Sequence, residues 1–214
     1  MVLALRRRKR ETTAMARISP LPRAEWSAEM TDFISGFRKS ALGDKPAEGR
    51  QSGANLLGTL ARYPALTKSF LAFNGHILYG TSLSVRQREI LVLRVAVLRH
   101  CGYEWAQHVI LGREAGLGDA EVAGIIDGPD APVWSPADRA LVCAVDDLLT
   151  DGKVGDDTWE VLAEDLDEQQ LMDVVFTVGT YEMVAFALRS FGVELEPDLA
   201  PHIQDRGKAD TAGR

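Results

Sequence analysis

The stretch EILVLRVAVLRHCGYEWAQH, residues 89–108, combines a long apolar run with several polar or reactive side chains. Leu93 and Ala96 follow Glu89 at helical spacing, so one face of this helix is apolar and Glu89 lies on it. A carboxylate on a buried face is costly unless it is paired or protonated. The stretch therefore predicts two core helices, joined near Gly102, that carry an unusual acid.

The remainder of the chain alternates between amphipathic helices and short breaks. No alternating strand pattern of useful length and no repeat with a period of about 20–50 residues occurs. The predicted fold class is all-α. Helices are predicted at about 27–39, 53–62, 64–79, 85–99, 103–115 and 136–149, with a short helix ending near Gly128 and two final helices between Val154 and Gly192.

The composition is that of a soluble globular protein. The chain has 214 residues, of which 46% are hydrophobic and 26% are charged, so a single domain with a sizeable core is expected. No charge-free apolar run of about 18 residues occurs, so no membrane-spanning helix is expected. Two cysteines, Cys101 and Cys143, are too few for a disulfide framework. The sequence predicts a cytoplasmic protein.

Charge is distributed unevenly along the chain. Residues 1–14 hold five basic residues and one acid, a net charge of +4, which leaves −11 for the remainder of a chain whose total is −7. An acidic body argues against nucleic-acid binding, which needs a basic surface. Residues 1–14 are predicted to be a disordered basic tail, or residues upstream of a true start at Met15. Residues 15–200 are predicted to be a single all-helical domain and residues 201–214 a disordered tail.

A polar group lies on one otherwise apolar side of the second core helix. It consists of Cys101, Glu104 and His108. Glu104 and His108 are one turn apart and are predicted to interact directly. A carboxylate beside an imidazole orients the ring and raises its basicity, which gives a proton-transfer pair near neutral pH. Glu89 is the candidate for a second acid, since a desolvated carboxylic acid has a raised pKa and can donate a proton, or for a group that orients the others.

Structural interpretations of the same residues remain open. Glu89 is alternatively a structural acid paired with Arg86 or Arg94. Cys101 is alternatively a small core residue, or a thiolate favoured by a helix N-terminus and by His100 beside it.

Other side chains near the group are candidates for binding a substrate. Two aromatic residues, Tyr103 and Trp105, flank the acid of the second helix and are expected to form pocket walls or to serve in ordinary packing. Arg94 is a candidate anchor for a substrate carboxylate, and so are Arg86 and Arg99, although surface positions are expected for at least two of the three. No metal site is predicted, because the Glu–His pair has no third strong ligand.

One further pattern occurs late in the chain. Gly179 and Thr180 lie within a strong helical pattern, where glycine is unfavourable. They predict a close approach between helices and no chemistry.

The order of these residues resembles the carboxymuconolactone decarboxylase and alkylhydroperoxidase D superfamily. In its peroxidase branch the motif is Glu, then Cys-x-x-Cys, then three residues and His. Glu89, Cys101 and His108 match the Glu, first Cys and His positions, and Glu104 occupies the second Cys position. The stretch YEWAQHVILGREAGLGDAEVAGI is similar to the branch with Tyr-Glu-Trp in place of that cysteine. FTVGTYEMVAFALRSFGVELEP resembles the end of the longer members, so the resemblance covers roughly residues 50–197.

The resemblance implies an alkylhydroperoxidase D-like helical bundle, assembled as trimers or hexamers, with catalytic positions at Glu89, Cys101, Glu104 and His108. It implies an enzyme that uses no cofactor and performs proton transfer, decarboxylation or elimination on a small carbonyl or lactone acid. One alternative is a thiol-dependent peroxidase with peroxiredoxin activity through Cys101. A second alternative is a non-enzymatic oligomeric binding module.

Overall fold

The computed structural model describes residues 16–42 and 53–203, and for residues 38–42 it describes the backbone alone. The predicted basic tail, residues 1–14, lies outside the described residues. So does most of the predicted C-terminal tail, residues 201–214.

The described residues form nine α-helices and no strand, which confirms the predicted all-α class. The predicted helix at 64–79 divides, because its α-helical part is followed by a π-helical turn, His76–Gly80. Two 3-10 turns, Arg23–Glu25 and Ala200–Ile203, lie near the ends of the described chain. The helices are α1 Ala28–Leu42, α2 Ala54–Leu60, α3 Pro64–Gly75, α4 Val85–Leu98, α5 Gly102–Glu114, α6 Asp119–Asp127, α7 Pro136–Asp151, α8 Asp156–Asp165 and α9 Glu168–Phe191.

The two helices of the opening stretch are held at a defined position by their ends. Ser84 begins α4 with a reciprocal cap: its hydroxyl accepts from the Gln87 backbone N–H, and the Gln87 side chain accepts from the Ser84 N–H. Between α4 and α5, His100 adopts a left-handed conformation with φ +51°, which is uncommon for a residue other than glycine. The chain therefore reverses within three residues, and α5 packs along α4.

The centre of the molecule is α4, which packs against α5, α7 and α9. Between Ile90 and Ala96 its apolar residues are buried on every side and not only along the stripe that contains Glu89. A helix that is hydrophobic all round belongs in a core. The fully buried residues of α4 are Ile90, Leu91, Val92, Leu93, Val95 and Ala96.

The longest helix, α9, is long and apolar enough to cross a membrane by length and composition. However, 56% of the most apolar 18-residue segment of this helix is buried inside the protein, which is typical of a core helix. Its inner face contributes Val174, Val178 and Tyr181 to the main core. The α9 helix therefore packs against α4, the helix that carries Glu89.

Candidate active site

The packing of α4 on α5 brings Glu89 and His108 into direct contact. The Nδ1 atom of His108 lies 2.7 Å from Oε2 of Glu89, whose side chain is fully buried. The sequence predicted instead that His108 pairs with Glu104 on its own helix, and that prediction is wrong. Spacing within one helix permits a contact between Glu104 and His108. In the structure, however, the carboxylate of Glu89 from the neighbouring helix is the partner of His108 Nδ1.

Arg88 holds the second oxygen of Glu89. Its Nε and Nη2 atoms donate to Glu89 Oε1 at 3.0 and 2.8 Å, and Nη1 donates to the carbonyl of Leu78 at 2.5 Å. The predicted pairing of Glu89 with Arg86 or Arg94 is therefore wrong. Sequence analysis missed Arg88, although an arginine next to a buried acid within an apolar helix was the available signal.

The electrostatic surroundings keep Glu89 ionised. Burial alone would raise its pKa, but the charges and hydrogen bonds of His108 and Arg88 outweigh burial, and the pKa of Glu89 is lowered. An ionised Glu89 accepts only, so whenever the His108 ring is in its neutral form its proton lies on Nδ1. The lone pair of His108 then lies on Nε2, where a substrate proton can be accepted.

The surroundings of Glu104 shift its pKa in the opposite direction to that of Glu89. Its side chain is 2% exposed, and neither carboxylate oxygen has a hydrogen-bond partner among the described residues. Burial raises the pKa of Glu104 well above its ordinary value. Burial therefore favours the protonated form of Glu104, which lies one helical turn before His108.

Tyr181 is a member of the group that sequence analysis missed. Its ring meets the His108 ring edge to face, with centroids 4.9 Å apart and an interplanar angle of 87°. Burial and the nearby charges of Glu89 and Glu104 raise the pKa of Tyr181. A tyrosine from α9 thus contacts the histidine of α5 close to both acids, and no local spacing in the sequence signals this convergence.

The other predicted site residues lie in distinct surroundings. Cys101 is 1% exposed and packs with Tyr103, Val184 and Leu188 near the C-terminal half of α9. The hydroxyl of Tyr103 donates to Glu196 at 2.9 Å, and burial together with this carboxylate raises the pKa of Tyr103. These contacts favour ordinary packing as the role of Cys101 and Tyr103.

Trp105 is fully buried in the main core, so it is not an open pocket wall. Its indole nitrogen has no hydrogen-bond partner among the described residues. A buried N–H donor of this kind is uncommon, because most such groups are paired.

The candidate carboxylate anchors are engaged elsewhere. Arg94 binds both oxygens of Asp146 at 2.7 Å and the carbonyl of Ile125. Arg99 binds Glu182 and the Leu149 carbonyl. Arg86 likewise pairs with two acids, Glu121 and Asp138. The structure therefore places Arg94 outside the group as a link between α4, α6 and α7, and not as the predicted substrate anchor.

Across residues 16–42 and 53–203 no cluster of three His, Cys, Asp or Glu side chains could hold a metal ion.

The raised pKa of Glu104 predicts an unusual dependence of stability on pH. A buried acid binds its proton more tightly in the folded chain, so the free energy of unfolding falls as pH rises above the ordinary value of 4.5. The decrease reaches at most about 1.4 kcal/mol per pH unit until the folded-state pKa is passed. Glu104→Gln cannot ionise, so its stability relative to the wild type is expected to increase from pH 5 to pH 8.

Urea unfolding of both proteins at several pH values measures this difference. Glu160, an exposed acid on α8, provides the matched control Glu160→Gln. A stability difference between Glu104→Gln and the wild type that stays constant with pH would show that Glu104 is already ionised in the folded protein.

The fold and these side chains together define a class: an all-helical protein whose central helices carry a buried Glu–His pair and a second buried acid. Residues 64–147 match the model of the Carboxymuconolactone decarboxylase family. The predicted resemblance to the carboxymuconolactone decarboxylase and alkylhydroperoxidase D superfamily is thereby confirmed, while assignment to the Tyr-Glu-Trp branch stays a prediction. Among curated proteins, no significant match was found.

Several solved structures share the fold. A protein of unknown function from Agrobacterium tumefaciens, a putative antioxidant defence protein AhpD, has 19% identity and a TM-score of 0.59, over 64% of this chain and 94% of that one. The debrominase Bmp8, a cysteine-to-alanine variant in complex with 2,3,4-tribromopyrrole, has 12% identity and a TM-score of 0.69, over 88% and 96%. An uncharacterized peroxidase-related protein from Silicibacter sp. TM1040 has 16% identity and a TM-score of 0.65, over 92% and 97%. The predicted alkylhydroperoxidase D-like helical bundle is confirmed.

Proposed function

We propose that this protein is a cofactor-independent enzyme that transfers protons on a small carbonyl or lactone acid and so promotes decarboxylation or elimination. The observation that carries the proposal is the 2.7 Å contact between His108 Nδ1 and the ionised, buried Glu89. Together with Glu104, whose protonated form burial favours, this contact supports a base and an acid within one small group. Two carboxyl groups with opposed pKa shifts are the usual sign of divided acid and base roles.

His108 is the base in this scheme. Its Nε2 lone pair accepts a proton from a carbon next to a carbonyl group, and the electron pair of the broken C–H bond moves onto the carbonyl oxygen. The ring then becomes an imidazolium, and the negative charge of Glu89 beside Nδ1 stabilises it. Arg88 keeps Glu89 ionised and fixed, so it is a positioning residue.

Glu104 is the acid. Its proton passes to the oxygen on which negative charge develops, which converts the enolate to an enol and leaves Glu104 ionised. In a decarboxylation His108 instead begins as the imidazolium: carbon dioxide leaves, the electron pair of the breaking C–C bond forms the enolate, and the imidazolium gives its proton to the same carbon. The enol then returns its proton to Glu104, and His108 takes up a proton from water before the next turnover. The sequence predicted Glu104 as the partner of His108, and Glu89 as a buried acid or an orienting group. The contacts support the orienting role for Glu89 and the role of acid for Glu104.

The family description supports a lactone acid as the substrate class. The structures that share the fold include a debrominase and peroxidase-related proteins, so the reaction is inferred from the site and not from the fold. A small-molecule substrate, a cytoplasmic location and self-assembly are parts of the same proposal.

Solvent exchange tests this function even while the substrate is unidentified. The protein is incubated in deuterium oxide with a panel of lactone acids and β-keto acids, and NMR follows deuterium incorporation next to the carbonyl while a coupled assay follows carbon dioxide release. At least one compound is expected to show catalysed exchange or release. Absence of both across the panel would contradict the proposal.

Peroxide turnover that depends on a thiol is not expected. Cys101 is buried in an apolar cluster, and a reactive thiol needs access and thiolate character. Cys143 is half-buried on α7, and burial raises its pKa. Peroxide consumption with a dithiol reductant is therefore expected to be the same in the wild type and in Cys101→Ser. Consumption that disappears in the variant would favour the peroxidase alternative.

A further inference from the structure

A cavity of about 430 Å³ lies between α7, α8 and the segment that precedes α7. Cavities of this size, with mostly apolar walls and a few polar groups, hold small organic ligands. None of the described lining residues belongs to α4, α5 or α9, so the cavity is separate from the candidate active site. Its lining includes Trp134, Arg139, Ala140, Cys143, Asp157 and Val161.

We propose that this cavity binds a small organic ammonium ion that carries an apolar body. The apolar body packs on Trp134, Ala140 and Val161. The ammonium group lies beside the carboxylate of Asp157. The cavity shares no residue with the candidate active site, so this inference does not depend on the proposed function.

The aromatic wall of the cavity is held in place by the protein itself. The indole nitrogen of Trp134 donates to the carbonyl of Gly128 at 2.9 Å. On α6, Gly124 makes room for the ring, since a Cβ atom there would lie 3.0 Å from Cζ2 of Trp134. An indole ring is the best aromatic partner for an ammonium ion. Because this ring is already fixed, ordering it costs a ligand little binding free energy.

The connection between α7 and α8 is also fixed. Asp147 of α7 accepts hydrogen bonds from the backbone N–H of Gly155 and from the hydroxyl of Thr158, both at 2.9 Å. These bonds join the end of α7 to the first turn of α8, which carries Asp157. The two helices that form the cavity are therefore held together without a ligand.

The charged side chains of the lining favour a cation over an anion. Arg139 is the one cation of the described lining, and its guanidinium is already engaged: Nη2 donates to Asp130 and Nε to the carbonyl of Pro129, both at 3.1 Å. Asp157 has no hydrogen-bond or ion-pair partner among the described residues. The carboxylate is thus available to a ligand, while the guanidinium is not.

Negative charge also dominates at the thiol of Cys143. Burial raises the pKa of this thiol. The charge of Arg139 opposes the increase, but three nearby carboxylates raise the pKa further, and they belong to Asp130, Asp146 and Asp147. The same carboxylates attract a cationic ligand and repel an anionic one. A thiol with a raised pKa stays neutral and serves as an apolar part of the wall.

Three probes of similar shape test the proposal. They are 2-phenylethylamine, which is an ammonium ion at neutral pH, the neutral 2-phenylethanol and the anion 3-phenylpropanoate. Each is titrated into the isotope-labelled full chain, and NMR follows the amide signals of α7 and α8. The amine is expected to shift these signals and to bind more tightly than either other probe. Absence of amine binding, or binding of the alcohol or the anion with equal or higher affinity, would overturn the proposal.

Two neighbouring acids provide a variant and its matched control. Asp157→Asn is expected to weaken amine binding by roughly two- to fivefold, as for a partly exposed ion pair, and to leave binding of 2-phenylethanol unchanged. Asp156 lies in the same first turn but pairs with Lys153 and is not part of the lining. Asp156→Asn is therefore expected to keep the affinity of the wild type. Equal weakening in both variants would contradict the position assigned to the ammonium group.

Protection of Cys143 shows where the amine binds. Because Cys101 is 1% exposed, methyl methanethiosulfonate is expected to modify the folded protein at Cys143, and peptide mass spectrometry identifies the modified residue. A saturating concentration of 2-phenylethylamine is expected to slow this reaction. Val161→Phe, which places a larger side chain in the cavity, is expected to lose both amine binding and protection. A modification rate that the amine leaves unchanged in the wild type would overturn the proposal.

Discussion

Glu89→Leu is expected to lower the free energy of unfolding by about 3–5 kcal/mol at neutral pH. The carboxylate is fully buried and binds the guanidinium of Arg88 and the ring of His108 at the same time. Removing it leaves the charge of Arg88, which is 7% exposed, without its buried counterion. A buried charge that has lost its partner is among the few causes of such large destabilisation.

The pH dependence of this loss has a definite sign. Because the pKa of Glu89 is lowered in the folded chain, its contribution is fully present above the ordinary pKa of 4.5 and is lost as pH falls through the lowered pKa. The difference in free energy of unfolding between the wild type and Glu89→Leu is therefore expected to become smaller as the pH is lowered. Urea unfolding at neutral and acidic pH measures both quantities.

The double variant Arg88→Met/Glu89→Leu distinguishes a lost partner from a disturbed core. Replacing both members of a buried ion pair by apolar side chains is often nearly neutral. The double variant is therefore expected to recover more than half of the stability that Glu89→Leu loses. A single variant that loses less than about 1 kcal/mol, or a double variant less stable than Glu89→Leu, would contradict the assigned pairing.

The helices were predictable because their signals are local. Ser84 caps α4 and Pro136 begins α7 where the sequence indicated, since capping and apolar spacing act within a few residues. The split between α3 and the following π-helical turn was not predicted. The apolar spacing there indicated one continuous helix and does not distinguish the two hydrogen-bond patterns.

The site was predicted as a set of residues but not as a set of contacts. Spacing within α5 showed correctly that Glu104 and His108 share a face, and spacing within α4 showed that Glu89 is buried. Which carboxylate reaches His108 depends on how α4 and α5 pack, and the sequence of either helix alone does not contain that information. Tyr181 illustrates the same limit more strongly, because it comes from α9, more than 70 positions beyond His108.

Arginine pairing was the least predictable feature. Arg86, Arg88 and Arg94 all lie within one helix near Glu89, and only the first and the last were named as alternative partners of Glu89 from the sequence. Both bind acids of other helices, and Arg88, the immediate neighbour in sequence, bends back to Glu89. The ion-pair partner of a long flexible side chain depends on which acids tertiary packing brings near it, and local sequence rules do not describe that packing.

His108→Ala is expected to reduce turnover by about 10²–10⁴-fold on any substrate for which the wild type shows exchange or carbon dioxide release. The variant removes the only nitrogen proposed to accept the substrate proton. Glu89 and Arg88 remain to satisfy each other, so the fold is expected to be retained. Full activity in His108→Ala would contradict the assigned base.

Glu104→Gln tests the acid more sharply, because glutamine matches the neutral form of Glu104 in size and charge. Substrate binding is therefore expected to be unchanged while kcat falls by a similar factor, since an amide has no acidic proton to deliver.

The activity of the wild type is also expected to fall as pH rises through the raised pKa of Glu104, and that alkaline decrease should be absent from the residual activity of the variant. Glu182→Gln, which alters an ion-paired acid outside the group, is the control and should keep full activity. If Glu104 serves only to fill the core, Glu104→Gln will have normal kcat and an unchanged pH profile, and the proton must then reach the product from water.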